Sequence, residues 1–91
     1  MDTSQSLELE RLPAVQERCG VGRSTILKEV NAGRFTPPIK IGRCALWPRH
    51  EVSAIMAARL NGATHPQLNQ LVIDLVAQRK ALMPASLRGA A

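Results

Sequence analysis

The sequence lacks any apolar run long enough to cross a membrane, and it lacks the features of a cleaved secretion signal. Its longest apolar run covers residues 54–58, whereas a helix that spans a bilayer needs roughly 20 apolar residues. The first six residues, MDTSQS, have neither a basic start nor an apolar stretch. We therefore expect a cytoplasmic, nucleoid-associated protein with no membrane partner.

The sequence has two cysteines and two histidines, too few and too scattered for a metal site or a catalytic centre. Cys19 and Cys44 form no Cys-x-x-Cys pair, and we expect both to be small buried or half-buried residues. A structural disulfide is disfavoured in a reducing compartment. His50 and His65 accompany no recognisable serine or cysteine nucleophile, and we expect both to be exposed. The sequence predicts no enzyme activity and no cofactor.

A chain of 91 residues, 45% of them apolar, fits one compact domain with short tails. A domain of this size buries only a modest share of its surface. An amphipathic segment beyond the minimal core is therefore expected to need a second chain to cover it.

The net charge of +5 is concentrated in the middle of the chain. Residues 23–49 contain one acidic residue, Glu29, and six basic residues: Arg23, Lys28, Arg34, Lys40, Arg43 and Arg49. Such a block attracts polyanions, and double-stranded DNA is the commonest polyanion in a bacterial or phage cytosol. The alternative is a basic surface that only confers solubility.

Two short helices separated by a glycine-containing turn are predicted near the N-terminus. Pro13 in a first turn and Gly20 as a stop mark a helix of about two turns that begins near Leu12. A second helix is predicted over residues 23–33, with a cap at Arg23 or Ser24 and with serine, threonine and lysine on its outward face. This order is typical of a helix-turn-helix.

A hairpin and a third helix are predicted next. The apolar runs 39–41 and 45–47 flank a glycine turn, which predicts a β-hairpin with Arg43 at its tip. Trp47 is expected in the core, because its indole is the largest apolar group available to so small a domain. A helix is expected to follow over residues 48–60.

The C-terminal part of the chain carries an apolar stripe that no upstream segment obviously needs. Its members recur at helical spacing and are Leu68, Leu71, Val72, Leu75 and Val76. We expect this stripe to contact a second copy of the chain and to mediate self-association on DNA.

The predicted fold is mainly α with a small β-hairpin: a winged helix-turn-helix followed by an amphipathic C-terminal tail. The sequence divides into a flexible arm (1–10), a DNA-binding domain (11–62), an oligomerisation tail (63–83) and a flexible end (84–91). Within the arm, Leu7 and Leu9 could add a short strand.

Six parts of residues 12–59 form a pattern by their order and spacing: Leu12-Pro13-Ala14-Val15, Gly22-Arg23-Ser24-Thr25-Ile26, Ala32-Gly33-Arg34-Phe35, Pro38-Ile39-Lys40-Ile41-Gly42-Arg43, Trp47 and Glu51-Val52-Ser53-Ala54-Ile55. In this pattern the chain resembles the AlpA family of phage and mobile-element regulators, which is related to small excisionases and to MerR-like winged helices. The resemblance implies that the second helix enters the major groove while the hairpin touches the adjacent backbone or minor groove.

The residue chemistry agrees with this docking. Hydroxyl and ammonium groups on the second helix can meet base edges or phosphates, and cations on the hairpin can follow the backbone or enter a narrow minor groove. The predicted DNA-binding residues are Arg23, Ser24, Thr25, Lys28, Arg34, Lys40 and Arg43. Thr25 could instead only cap the helix, and Lys28 could only face solvent.

Three functions fit the sequence. The first is an excisionase, or recombination directionality factor, which binds and bends attachment-site DNA cooperatively so that an integrase excises a mobile element. The second is an AlpA-type transcription regulator at a promoter of the same element. The third is an adaptor whose tail binds an integrase or another protein, while the basic block aids solubility.

Overall fold

The structure is a computed structural model that describes residues 8–82 and residue 86. Its helices and strands are, in chain order, β1 (Leu9–Arg11), α1 (Leu12–Cys19), α2 (Arg23–Asn31), β2 (Ile39–Ile41), β3 (Cys44–Pro48), α3 (Arg49–Leu60) and α4 (His65–Ala81). The strands form one antiparallel sheet in the order β1-β3-β2. The predicted fold, mainly helical with a small wing, is confirmed.

A three-residue turn joins α1 to α2. Gly20 ends α1 in the left-handed region, with φ of 71°, and its amide donates to the carbonyl of Gln16 at 2.8 Å. Gly22 precedes α2 as its cap residue and supplies no side chain. The predicted capping role for Arg23 or Ser24 is therefore wrong, because α2 begins at Arg23 itself.

The hairpin β2–β3 closes through Gly42 and Arg43. Gly42 has a φ of +61°, a value that the first central residue of a II′ turn requires and that glycine adopts without strain. Ile39 lies opposite Leu46 and Ile41 opposite Cys44. Arg43 thus lies at the tip, as predicted.

Residues 9 and 10, which the sequence assigned to a flexible arm, lie in a strand of the sheet. Residues 9–11 form the edge strand β1, in which Leu9 lies opposite Pro48. The amide of Arg49 also donates to the carbonyl of Glu8 at 2.8 Å. Pairing with β3 joins these residues to the sheet, so they belong to the domain. Leu7 lies outside the described residues.

The core forms around Trp47, which is 1% exposed. Its ring meets that of Phe35 edge to face, with centroids 6.3 Å apart, and its indole N–H donates to the Thr36 carbonyl at 2.8 Å. Val52 and Ile55 of α3 complete this centre and are fully buried. The predicted core position of Trp47 is confirmed.

Helix α4 packs against α3 within the same chain. Val72 and Leu75 belong to the core cluster, Leu71 and Val76 pack against it half-buried, and Leu68 is 1% exposed. The prediction that this stripe contacts a second chain is therefore wrong: residues 65–81 cover the single core that α1, α2 and α3 share. The segment 63–83 is correspondingly not a separate tail.

Helix α4 begins at His65, with Thr64 as its N-terminal cap. Thr64 accepts a hydrogen bond from the amide of Gln67, and the Gln67 side chain accepts one from the amide of Thr64, which completes a capping box. The predicted flexible end, residues 84–91, lies outside the described residues apart from Ser86. None of the described helices has the length and apolar character needed to cross a membrane.

Candidate nucleic-acid interface

Helix α2 presents one polar face to solvent. Ile26 is buried, and this fixes the rotation of the helix so that Ser24, Thr25 and Lys28 are exposed. Arg23, at the start of the helix, is also exposed. No side chain caps this helix start and no acidic residue lies in its first turn, so its free N–H groups favour an anion.

The hairpin adds a second exposed basic element, which we call the wing (residues 39–48). Lys40 and Arg43 are both exposed on it. Because the hairpin is closed by a two-residue turn, these cations are carried on ordered backbone rather than on a long loop.

Within residues 8–82, carboxylates pair with five arginines that lie outside α2 and the wing, but with none of the cations named above. Ion pairs join Arg18 to Glu10, Arg34 and Arg59 to Glu29, Arg49 to Glu8, and Arg79 to Glu51. Among residues 8–82, no ion pair involves Arg23, Lys28, Lys40 or Arg43. The unneutralised positive charge of residues 23–49 is therefore carried by α2 and the wing.

Arg34 differs from the other predicted DNA-binding residues. Its Nε and Nη2 donate to the two carboxylate oxygens of Glu29 at 2.8 and 2.9 Å, and its side chain is 19% exposed. Arg59 donates to the same carboxylate. The guanidinium of Arg34 is therefore bound to a carboxylate of α2, and Arg59 links the same carboxylate to α3. This pairing does not direct Arg34 towards a phosphate.

The hydrogen bond from Arg34, with that from Arg59, lowers the pKa of Glu29 from 4.5 to about 2. A carboxylate with a lowered pKa stabilises the folded state above its unfolded pKa, and this stabilisation is lost as the pH falls towards the folded value. The Glu29→Gln variant should therefore lose about 1 kcal/mol at neutral pH, because the pairs are partly exposed.

Urea unfolding of the wild type and of Glu29→Gln across pH checks this effect. The difference in free energy of unfolding should be constant down to about pH 4.5 and should shrink between there and about pH 2. A difference that persists unchanged at pH 3 would show that the Glu29 carboxylate is not the group responsible.

Cys19 and Cys44 are free and half-buried, as predicted. Burial raises the pKa of the Cys19 thiol, which disfavours the reactive thiolate. His65 is exposed as expected, but His50 is half-buried in a cleft beside Leu9 and Ile39. Within residues 8–82, no group of three or more histidine, cysteine, aspartate or glutamate side chains is arranged to hold a metal ion.

Two exposed groups at this surface were missed from the sequence. Asn31 lies on α2 one turn after Lys28 and is exposed, and a side-chain amide there can read the edge of an adenine. Ile41 is 56% exposed on the wing between Lys40 and the turn. The helical spacing of residues 24, 28 and 31 indicates that Asn31 is exposed. Strand alternation, in contrast, wrongly predicts that Ile41 is buried.

The chain is similar to a phage protein, Uncharacterized protein ORF88 of Enterobacteria phage P4. The two are 40% identical over 53 residues, a segment that covers 57% of this chain and 60% of ORF88. The chain thus spans less than two thirds of the length of that relative. No protein-family model matches the chain. No solved structure matches it.

Proposed function

We propose that this chain is a sequence-specific binder of double-stranded DNA from a mobile genetic element, and that it acts as an excisionase. In this role it binds and bends attachment-site DNA so that a site-specific integrase excises the element. The observation that carries the DNA-binding part is the distribution of charge: the exposed cations of α2 and the wing lack carboxylate partners among the described residues, while five arginines elsewhere have them.

Binding proceeds through two contacts. Helix α2 enters the major groove, where Ser24, Thr25 and Lys28 face base edges and phosphates, and Arg23 joins the free amides of the helix start on a phosphate. The wing lies on the neighbouring backbone or minor groove, with Lys40 and Arg43 as its cations. Exposure of these six side chains supports this docking.

The mobile-element assignment draws on the similarity to a phage protein and on the AlpA-like stretches of residues 12–59. Bending a DNA site costs a few kcal/mol, more than one small domain with few contacts supplies, so several copies must cooperate. Because the α4 stripe is buried in its own chain, this cooperation uses another surface or the bent DNA itself.

A transcription regulator at a promoter of the same element is the second candidate, and burial of the α4 stripe favours it. A regulator that occupies a single operator needs no contact between neighbouring copies along the DNA. The adaptor hypothesis loses support for the same reason, because the apolar stripe that would bind a partner lies in the core.

A titrated gel shift and an excision assay on the same DNA distinguish these functions. The wild type should shift DNA from the attachment region in cooperative steps and should stimulate excision by the integrase encoded nearest to its gene. One step with no stimulation would favour the promoter regulator over the excisionase. A protein that shifts neither this DNA nor promoter DNA would contradict DNA binding and favour the adaptor.

A further inference from the structure

The loop that joins α2 to the wing is held at both ends by α4. This connecting loop, residues 32–38, contains no regular secondary structure, yet it determines how α2 and the wing are oriented relative to each other. Its two ends contact side chains ten positions apart on α4, Asn69 and Arg79.

The first contact lies directly behind the end of α2. The side-chain amide of Asn69 donates to the carbonyls of Ala32 at 3.2 Å and Gly33 at 2.7 Å. A Cβ placed on Gly33 would lie 3.0 Å from the Asn69 Nδ2 atom, and Gly33 already has a φ of +78°. The backbone of the loop and the side chain of α4 therefore approach each other closely, and glycine permits it.

The second contact lies just before the wing. Arg79 donates through Nη2 to the carbonyl of Pro37 at 2.9 Å. The same guanidinium binds both carboxylate oxygens of Glu51, at 2.8 and 2.7 Å, and Glu51 is fully buried. An arginine held on both sides in this way is a fixed point, not a mobile surface group.

The middle of the loop is anchored in the core. Phe35 and Thr36 are 3% and 0% exposed, and the carbonyl of Thr36 accepts the indole N–H of Trp47. The loop is thus fixed at its start, middle and end, and α4 supplies the first and last of these contacts.

We infer that α4 is the element that sets the geometry between α2 and the wing, and that Asn69 and Arg79 are positioning residues for DNA binding. This inference rests on the proposed binding of DNA by α2 and the wing. Helix α2 and the wing can contact one duplex at the same time only when their relative orientation matches the shape of the DNA. If the protein has this orientation for only a fraction of the time, its apparent affinity for DNA is reduced by the same fraction.

Asn69→Ala, compared with Gln78→Ala, tests the inference. Gln78 is exposed on the same helix, so its variant reports on any general effect of truncating α4. Asn69→Ala should weaken affinity for duplex DNA by about five- to ten-fold, as expected from the loss of one or two hydrogen bonds. Its dependence on salt concentration should match the wild type, because no phosphate contact is removed.

Binding is measured well below the melting temperature, with folding checked by circular dichroism. If Asn69→Ala melts too early, the isosteric Asn69→Asp compared with Gln78→Glu, which adds the same charge, answers the same question. A lower affinity with an unchanged salt slope supports positioning.

Two results would overturn the inference and are distinguishable. If the Asn69 variants bind as tightly as their Gln78 controls while Lys28→Ala binds more weakly, positioning by α4 is wrong and DNA binding by α2 stands. If the wild type itself binds no duplex DNA, both the proposed function and the inference fail.

Discussion

Leu75→Asp is expected to destabilise the fold strongly. Leu75 is 5% exposed and belongs to the core cluster with Val52, Ile55 and Val72. The substitution removes buried apolar area and places a carboxylate in an apolar site, for a combined cost of more than about 4 kcal/mol. Since domains of this kind are stable by about 5–15 kcal/mol, the melting temperature should fall by more than about 15 °C.

Ile73→Asp is the matched control for this variant. Ile73 lies on the same helix two residues earlier, but it is 60% exposed, so the same replacement should change stability by less than about 0.5 kcal/mol. Thermal melts followed by circular dichroism compare the two. A Leu75→Asp protein that melts like the wild type and loses only cooperative DNA binding would contradict the packing of α4 in its own chain. That result would support the alternative that the stripe contacts a second chain.

Arg79→Ala should be almost as damaging, although Arg79 lies near the end of α4. The carboxylate of Glu51 has no exposure, and both of its oxygens accept hydrogen bonds from Arg79. Removing the arginine leaves a buried charge without a partner, which typically costs about 3–5 kcal/mol. The loss of the bond to Pro37 would also release the end of the connecting loop.

The double variant Arg79→Ala with Glu51→Gln separates the buried charge from the lost packing. Because glutamine carries no charge, the second substitution should restore more than half of the stability that Arg79→Ala removes. Urea unfolding measures both variants. An Arg79→Ala protein within about 1 kcal/mol of the wild type would show that the ion pair does not hold α4 in place.

Local patterns were sufficient to predict the elements that glycine and proline delimit. Gly20 ends α1, and Gly42 closes the hairpin; both have positive φ, which glycine adopts at little cost. The capping box of Thr64 and Gln67 was also readable from the sequence, as threonine followed three residues later by glutamine before an apolar run.

The surface that covers an amphipathic stripe cannot be predicted from local sequence patterns in the same way. Helical spacing placed Leu68, Leu71, Val72, Leu75 and Val76 on one face of a helix, and these residues are buried or half-buried. Spacing carries no information, however, on which surface covers such a stripe. The deciding contacts are long-range. Arg79 meets Glu51 across 28 positions and Asn69 meets Gly33 across 36, and no local period relates the members of these pairs.

For the candidate site, the sequence predicted the basic block but not its internal pairing. Exposure of Arg23, Lys28 and Arg43 follows from the periods of a helix and a hairpin. Arg34 has the same charge and lies between the same elements, yet it binds Glu29 from five positions away, because the chain turns after α2. Charge counts along a sequence cannot separate free cations from paired ones.

The salt dependence of DNA binding by two double variants tests the central claim most directly. Lys28→Ala with Arg43→Ala removes two exposed cations from α2 and the wing, whereas Arg11→Ala with Lys80→Ala removes two exposed cations from β1 and α4, so the net charge of the two proteins is equal. If α2 and the wing bind phosphates, the first variant should lower the slope of log affinity against log salt by about two and the second by less than about half a unit. Equal reductions in both variants, or none in either, would contradict the claim.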